Sequence, residues 1–268
     1  MSFSVDDISY FIKFGEDDYA GSFLGGSLHF GTAKGYRVLE NEQKNRGQGD
    51  KMENGLRIWT TNMWVISHDN STMAHFQGNS VVNAFFEPSD NTPVFCLFCC
   101  LSSDCKTDST GQLRIVLPND VQKDIKEHFL SADTAILIQN PKQYIADVVD
   151  SIGTRCVHDR VHYFQIDGYE TDQGMHAIDM GLIKYMAQGV TDEHTTIPKG
   201  QPISFSADFS YRALFCKDKF FSNEREYRFV LPDIGINEPQ NFNIITHVPI
   251  SKYKAAQLLS PEGIIVDQ

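Results

Sequence analysis

Apolar positions fall in short runs rich in β-branched and aromatic residues, each bounded by turn-forming glycine, proline, asparagine or aspartate. Ser27–Phe30, Leu56–Ile66, Val94–Leu101, Gln112–Leu117, Ala135–Gln139, Val161–Ile166, Ile203–Ala207, Glu226–Leu231, Asn243–Val248 and Gly263–Val266 have this form and predict strands. Helical spacing is clear in two places. After Pro118, with Asn119 or Asp120 as cap, Val121, Ile125 and Phe129 share one face. From Pro141 to Ile152 the stripe is Tyr144, Ile145, Val148 and Val149, with Asn140 as cap and Gly153 as stop. A shorter helix is expected within Lys252–Leu259. Strands predominate, so the fold class is α+β: a mostly antiparallel sheet, whole or split, with peripheral helices.

Polar positions gather in two long stretches. Asn41–Asn54 (NEQKNRGQGDKMEN) reads as a surface loop between strands, and Gly168–Gly200 as a second insertion. Within the latter, Met175, Ile178, Met180, Ile183 and Met186 have the spacing of a short helix. No period repeats and no linker divides the chain, so residues 1–268 are expected to form one domain with these two insertions.

Composition narrows the class. With 268 residues, 41% hydrophobic and 22% charged, the chain has the make-up of an ordinary globular protein, not a disordered, collagen-like or coiled-coil one. The net charge of -12 repels nucleic-acid backbones and anionic membranes, so any such contact must be local. The start MSFSVDDISYFIKFGEDD lacks the pattern of an export signal and no long apolar run follows, so a cytoplasmic protein without a membrane partner is expected. The six cysteines are then expected as thiols. Cys96 and Cys99 form a CxxC without a second pair, so no metal site is expected and PVFCLFCCL reads as a buried strand.

Three segments could carry chemistry. From Glu226, alternation puts Tyr227, Phe229 and Leu231 on one face and Glu226, Arg228 and Val230 on the other, with Glu224 on the charged side if the strand begins that early. Two carboxylates beside a guanidinium suit stabilisation of a cationic transition state or removal of a hydroxyl proton. A solvated edge strand with an ion pair would look the same. In Gly25–Thr32, Leu28 and Phe30 alternate inward and leave Ser27, His29 and Gly31 on the opposite face, where a ligand could approach the glycine; His29 is equally suited to a structural bond. Ser102 and Ser103 follow the cysteine strand, where they orient a substrate or close a turn. Between Arg212 and Arg228, five basic residues face three acids with Phe215, Phe220, Phe221 and Tyr227 interleaved, a pattern shared by single-strand binding surfaces and by cores with snorkelling cations.

Together, GSLHFGTAKGYRVLE with RGQGDKME, VFCLFCCLSS followed by GQLRIVLP, and KDKFFSNEREYRFVLP resemble an uncharacterised bacterial domain family of unknown function, over about Gly15–Asp267. The tryptophan-tyrosine motif usual after the middle serines is missing, and this resemblance implies no activity. The order of the motifs is also similar to the NAD-consuming ADP-ribosyltransferases, which implies their fold, NAD as substrate, and transfer of ADP-ribose. On that resemblance His29, Gly31 and Thr32 would hold NAD, Tyr36 would stack on nicotinamide, and Ser102 or Ser204 would support the glutamate. Glu226 would be catalytic, with Glu224 near the acceptor and Arg228 beside them. Phe30 interrupts the usual His-Gly-Thr, and Ser204-Phe205-Ser206 is the nearest substitute for Ser-Thr-Ser. The implied role is an intracellular toxin or phage-defence effector acting on protein or RNA, with an antitoxin protein as a further partner. Two other classes stay open: a non-catalytic protein-interaction module, and a metal-dependent nuclease using Asp50, Glu53, Glu224 and Glu226. A single NAD site requires His29, Thr32, Tyr36 and Glu226 to line one concavity, with Glu224 and Arg228 at its rim and the Asn41–Asn54 loop as a lid.

Overall fold

The computed structural model describes residues 4–43, 50–67, 69, 71–166, 169–170, 176–177, 179–189 and 204–266. The first third of the chain runs through β1 (Ile8–Gly15), α1 (Asp17–Leu24), β2 (Ser27–Thr32), α2 (Ala33–Gln43), the long pair β3 (Gly55–Ile66) and β4 (Thr72–Phe85), and α3 (Glu87–Asp90). The middle holds β5 (Pro93–Leu101), β6 (Cys105–Thr107), β7 (Leu113–Ile115), α4 (Asn119–His128), β8 (Thr134–Ile138) and α5 (Pro141–Ile152). Then come β9 (Val157–Arg160), β10 (His162–Phe164), β11 (Tyr169–Glu170), β12 (His176–Ala177), α6 (Met180–Gln188) and β13 (Cys216–Asp218). The chain closes with β14 (Glu226–Val230), β15 (Gln240–Asn243), β16 (Ile250–Lys254), α7 (Ala255–Leu258) and β17 (Ile264–Ile265). The class is α+β with mostly antiparallel open sheets; β10 and β13 form a parallel pair.

The main sheet is organised on β5. One edge of β5 pairs with β14, from Glu226↔Phe98 to Val230↔Val94, and β9 lies beyond. The other edge is shared: β1 takes it from Leu101 to Phe98, and β2 takes it at Val94 and Pro93. β8 and β16 continue the sheet beyond β1, and β15 beyond β2. Between the two partners the strands part, and there the Cys96 carbonyl accepts a hydrogen bond from Lys13 Nζ at 3.0 Å. The sheet is therefore split at mid-β5, with a side chain standing in for a strand.

Hydrophobic burial covers both faces. On one, Phe11, Phe30, Phe95, Tyr227 and Phe229 pack with Phe23 of α1 and Tyr144 and Val148 of α5. On the other, two separate clusters form. Ile12, Phe98 and Leu137 pack under α4 and α7, while Val94 and Val230 pack under α6 and the 3₁₀ segment Ala207–Phe215. The ground between those clusters holds charged residues.

Several local expectations hold. α5 spans Pro141–Ile152, with the Asn140 side chain accepting from the Gln143 N–H and Gly153 in the left-handed region at φ 68°. α6 forms as spaced, although Met175, Ile178 and most of 168–200 lie outside the described residues. Other expectations are corrected. β1 is a strand without an alternation signal, because Phe11 and Ile12 are both buried, on opposite faces. α2 runs through Gln43, into the stretch expected as a loop, while 44–49 lie outside the described residues. β4 was hidden by its polar centre, Gln77-Gly78-Asn79-Ser80. Ser204–Ser206 is irregular rather than a strand, and Ile203 lies outside the described residues. Val161 separates two strands instead of beginning one, and the strand expected at Asn243–Val248 ends at Asn243. Among the described residues no helix is long and apolar enough to cross a membrane.

Candidate functional site

β14 is an internal strand. Its alternation is as expected, with Tyr227 and Phe229 in the larger core and Glu226 and Arg228 on the opposite face, but all five residues are buried. A solvated edge strand is thereby excluded. Glu224 reaches the same place by a different route from strand alternation. It ends the 3₁₀ turn Lys219–Glu224, and Arg225, at φ 41°, carries the chain from that turn into the strand. Arg225 itself is held by Asp104, Nη1 to Oδ2 2.7 Å.

A closed ionic network results. Lys217 on β13 donates to Glu224 Oε2 at 2.6 Å and to Glu226 Oε1 at 2.5 Å. Arg228 Nε donates to Glu226 Oε2 at 2.7 Å, and its two terminal nitrogens grip both oxygens of Glu53 at 2.5 and 3.1 Å. His128, the last residue of α4, meets Glu224 Oε1 at 2.8 Å. The Tyr163 hydroxyl accepts the Glu226 N–H at 2.9 Å. Buried charges persist only when paired in this way, since an isolated one costs several kcal/mol.

The network forms one wall of a cavity of about 220 Å³. Ile12, Phe14, Phe98, Ile125 and Phe129 form an apolar wall, and Lys13, Tyr36 and Cys96 line it at the split in the sheet. The two glutamates are pushed apart in acidity. Burial raises both, but at Glu226 the adjacent Arg228 and Lys217 outweigh it and hold the carboxyl well below the usual range. At Glu224 burial wins over Lys217 and the His128 bond, and the carboxyl is raised. Lys217 bridges the two carboxyls, so they titrate as a pair, Glu224 the readier to take up a proton and Glu226 the one to stay ionised. Burial lowers the Lys13 ammonium and raises the Cys96 thiol to about 12.

Of the NAD-holding residues expected from sequence, Tyr36 lines the cavity, and the others do not. His29 is exposed, with Nδ1 2.8 Å from Asn241 Oδ1 and its N–H bonded to the Tyr19 hydroxyl. Thr32 caps α2, its hydroxyl accepting the Gly35 N–H. At Gly31 a Cβ would lie 3.1 Å from the Tyr36 hydroxyl, so that glycine makes room for a tyrosine. Ser102 donates to the Asp7 carbonyl at 3.0 Å, and Ser204 is exposed in an irregular stretch. Glu224 and Arg228 form the wall of the cavity, not its rim. Asp50 and Glu53, expected on a solvated turn, are buried at 2% exposure and line the cavity.

The basic strip from Arg212 to Arg228 is largely core: Lys217, Arg228, Phe215, Phe221 and Tyr227 are buried, while Lys219 and Phe220 are exposed. Lys13, Lys217 and His128 carried no local signal of a shared site. A buried lysine amid the run ALFCKDKFF was the nearest hint. Among the described residues, no three His, Cys, Asp or Glu side chains group to hold a metal ion, and Lys217 and Arg228 stand between the acids that a nuclease would need to converge. Cys96 lines the cavity while Cys99 lies in the core on the other face. Compared with family models, curated proteins and solved structures, this chain matches none.

Proposed function

We propose that the cavity is the active site of an NAD-dependent ADP-ribosyltransferase. The observation that carries the proposal is the Glu224–Glu226 pair, buried, bridged by Lys217, and displaced in opposite directions. Carboxyls so divided take separate roles, one as fixed charge and the other as proton carrier. The bond between the nicotinamide nitrogen and ribose C1′ breaks with its electron pair going to nicotinamide, which leaves neutral. Positive charge develops at C1′ and is stabilised by ionised Glu226. The acceptor's O–H or N–H forms the new bond at C1′, and its proton passes to Glu224, whose raised pKa makes it the better base. The split sheet supports an ADP-ribosyltransferase-like fold, and the wall of Phe14, Phe98 and Phe129 suits a flat leaving ring. Of the four residues expected at one NAD site, Tyr36 and Glu226 meet in this cavity and His29 and Thr32 stand outside it. The cavity is smaller than a typical ligand pocket, so on this proposal it takes the nicotinamide-ribose end alone and the rest of the dinucleotide is held without His29 and Thr32.

Labelled NAD incubated with the protein and cell extract tests this directly. Label transfer to a macromolecule is expected, and Glu226→Gln is expected to reduce it by about 100-fold or more with folding retained. Wild-type transfer by a folded Glu226→Gln protein would remove this mechanism. A second reading, a non-catalytic interaction module, draws on the exposed Trp64, Ile66 and Met73 of the β3–β4 hairpin; it requires that NAD is not consumed at all.

A further inference from the structure

The glutamates of the cavity are already paired, and two of its donors are not. Glu226 accepts from Lys217 and Arg228, Glu53 accepts from Arg228 at both oxygens, and Glu224 is held between Lys217 and His128. Lys13 and Tyr36, which line the cavity at the split in the sheet, stand outside that network. Lys13 Nζ donates to the Cys96 carbonyl, and among the described residues it has no carboxylate partner. Charged or neutral, the amine keeps at least one further N–H to give. The Tyr36 hydroxyl has no hydrogen-bond partner among the described residues. Burial holds it well above the ordinary tyrosine value, so it remains a donor at neutral pH.

Their placement is specific. Lys13 belongs to β1, and the Tyr36 hydroxyl lies against Gly31 of β2, so the two donors flank the line where those strands part. A Cβ at Gly31 would come within 3.1 Å of that hydroxyl, so the bare backbone is what lets the tyrosine reach the split. Lys13 Nζ is steadied a second time by the Phe95 ring, 5.0 Å from its centroid. The same cavity offers Phe14, Phe98 and Phe129 as an apolar wall, with Phe14 and Phe98 meeting edge to face at 5.7 Å. Asp50, Glu53, Glu224 and Glu226 line it against Lys13, Lys217 and Arg228, so it holds no surplus of positive charge for an anion.

We infer that Lys13 and Tyr36 form a two-donor cradle for a carbonyl oxygen of the ligand, and that the cavity thereby selects a flat ring bearing a neutral amide. Such a ring lays its body against the phenylalanines and its oxygen at the split. A bare ring leaves both donors dehydrated and unpaired, which costs affinity. The identification of that amide as the carboxamide of nicotinamide rests on the transferase reading; the cradle and its preference for a ring amide do not.

Ligand-detected NMR titrations of the full chain with nicotinamide, benzamide and pyridine test the inference. The two amides are expected to bind alike, and pyridine, which keeps the ring and lacks the oxygen, at least about 10-fold more weakly. Tyr36→Phe is expected to weaken both amides by about 3-fold and Lys13→Met by about 10-fold or more, with pyridine unchanged in each. Tyr36→Phe should keep the wild-type melting curve, and it carries the test alone if loss of the Cys96 bond unfolds Lys13→Met. Failure of both amides to bind, equal binding by pyridine, or a folded Tyr36→Phe protein that holds the amides as the wild type does overturns the inference. Tighter binding of nicotinate than of nicotinamide overturns the neutral-amide assignment. Amide binding that falls in both variants, with no NAD consumed, would refute the transferase and leave the cradle standing. Label transfer from NAD with wild-type kcat and KM in Tyr36→Phe and Lys13→Met would do the reverse.

Discussion

β14 and the β3–β4 hairpin depart from the apolar-inside rule in opposite directions. β14 is five residues long and buries Glu226 and Arg228, while the hairpin strands of 12 and 14 residues expose Trp64, Ile66, Met73 and Val81. Neighbours account for the difference. β14 is flanked by β5 and β9 and covered by the 3₁₀ segment Ala207–Phe215, so water is excluded whatever its side chains are. Among the described residues the hairpin strands pair only with each other, and even Trp64 is exposed. Departures of this kind are costly unless compensated, and they gather where a molecule meets its ligands.

The sharpest way to break this contrast is Arg228→Met, which leaves Glu53 and Glu226 buried without their guanidinium. A loss of about 3–5 kcal/mol is expected in urea unfolding. A loss below about 1 kcal/mol would mean that water reaches the network and that β14 is no more buried in solution than the hairpin. Phe229→Ala, on the apolar face of the same strand, is expected to cost a similar or slightly smaller amount, about 3–4 kcal/mol, in the same measurement.

A smaller effect separates the two glutamates. Glu226, lowered in the fold, stabilises the protein fully above the ordinary glutamate value of about 4.3, and that contribution is lost as pH falls through its folded value. Glu224, raised in the fold, contributes below about 4.3, and its contribution is lost as pH rises through its higher folded value. Urea midpoints between pH 3 and 8 should therefore flatten on the acid side in Glu226→Gln and above about pH 4.3 in Glu224→Gln. Identical profiles for the two variants would show that they are not differently tuned. The smallest effect belongs to the hairpin: Trp64→Ala is expected to change stability by no more than about 0.5 kcal/mol. A larger loss would show that the hairpin is packed against something and is not the exposed member of the pair.

Much of the frame was legible where local chemistry decides the outcome. Asn140, Pro141 and Gly153 bracket a helix by capping and φ alone, and Tyr227, Phe229 and Glu226 sort by the two-residue period of a strand. The site was half legible. Glu224, Glu226 and Arg228 lie close together in sequence, but Glu53 meets Arg228 across 175 residues and His128 meets Glu224 across 96. No local pattern encodes such pairings. His29 lies off the cavity because alternation fixes the face of a strand but not how far along it the cavity extends. Lys13 carries no signal in its own stretch of sequence; the parting of β1 and β2 is what gives it a carbonyl to hold.

That parting also has a mechanical meaning. A sheet resists bending through its ladder of backbone bonds, and at Cys96 one rung of that ladder is an amine on a flexible four-carbon stem. β2 and β15 on one side, and β1, β8 and β16 on the other, are two leaves bound to the common spine of β5. The binding is weakest at the level of the cavity. A molecule seated in the cavity therefore meets the line along which the backbone ladder is interrupted.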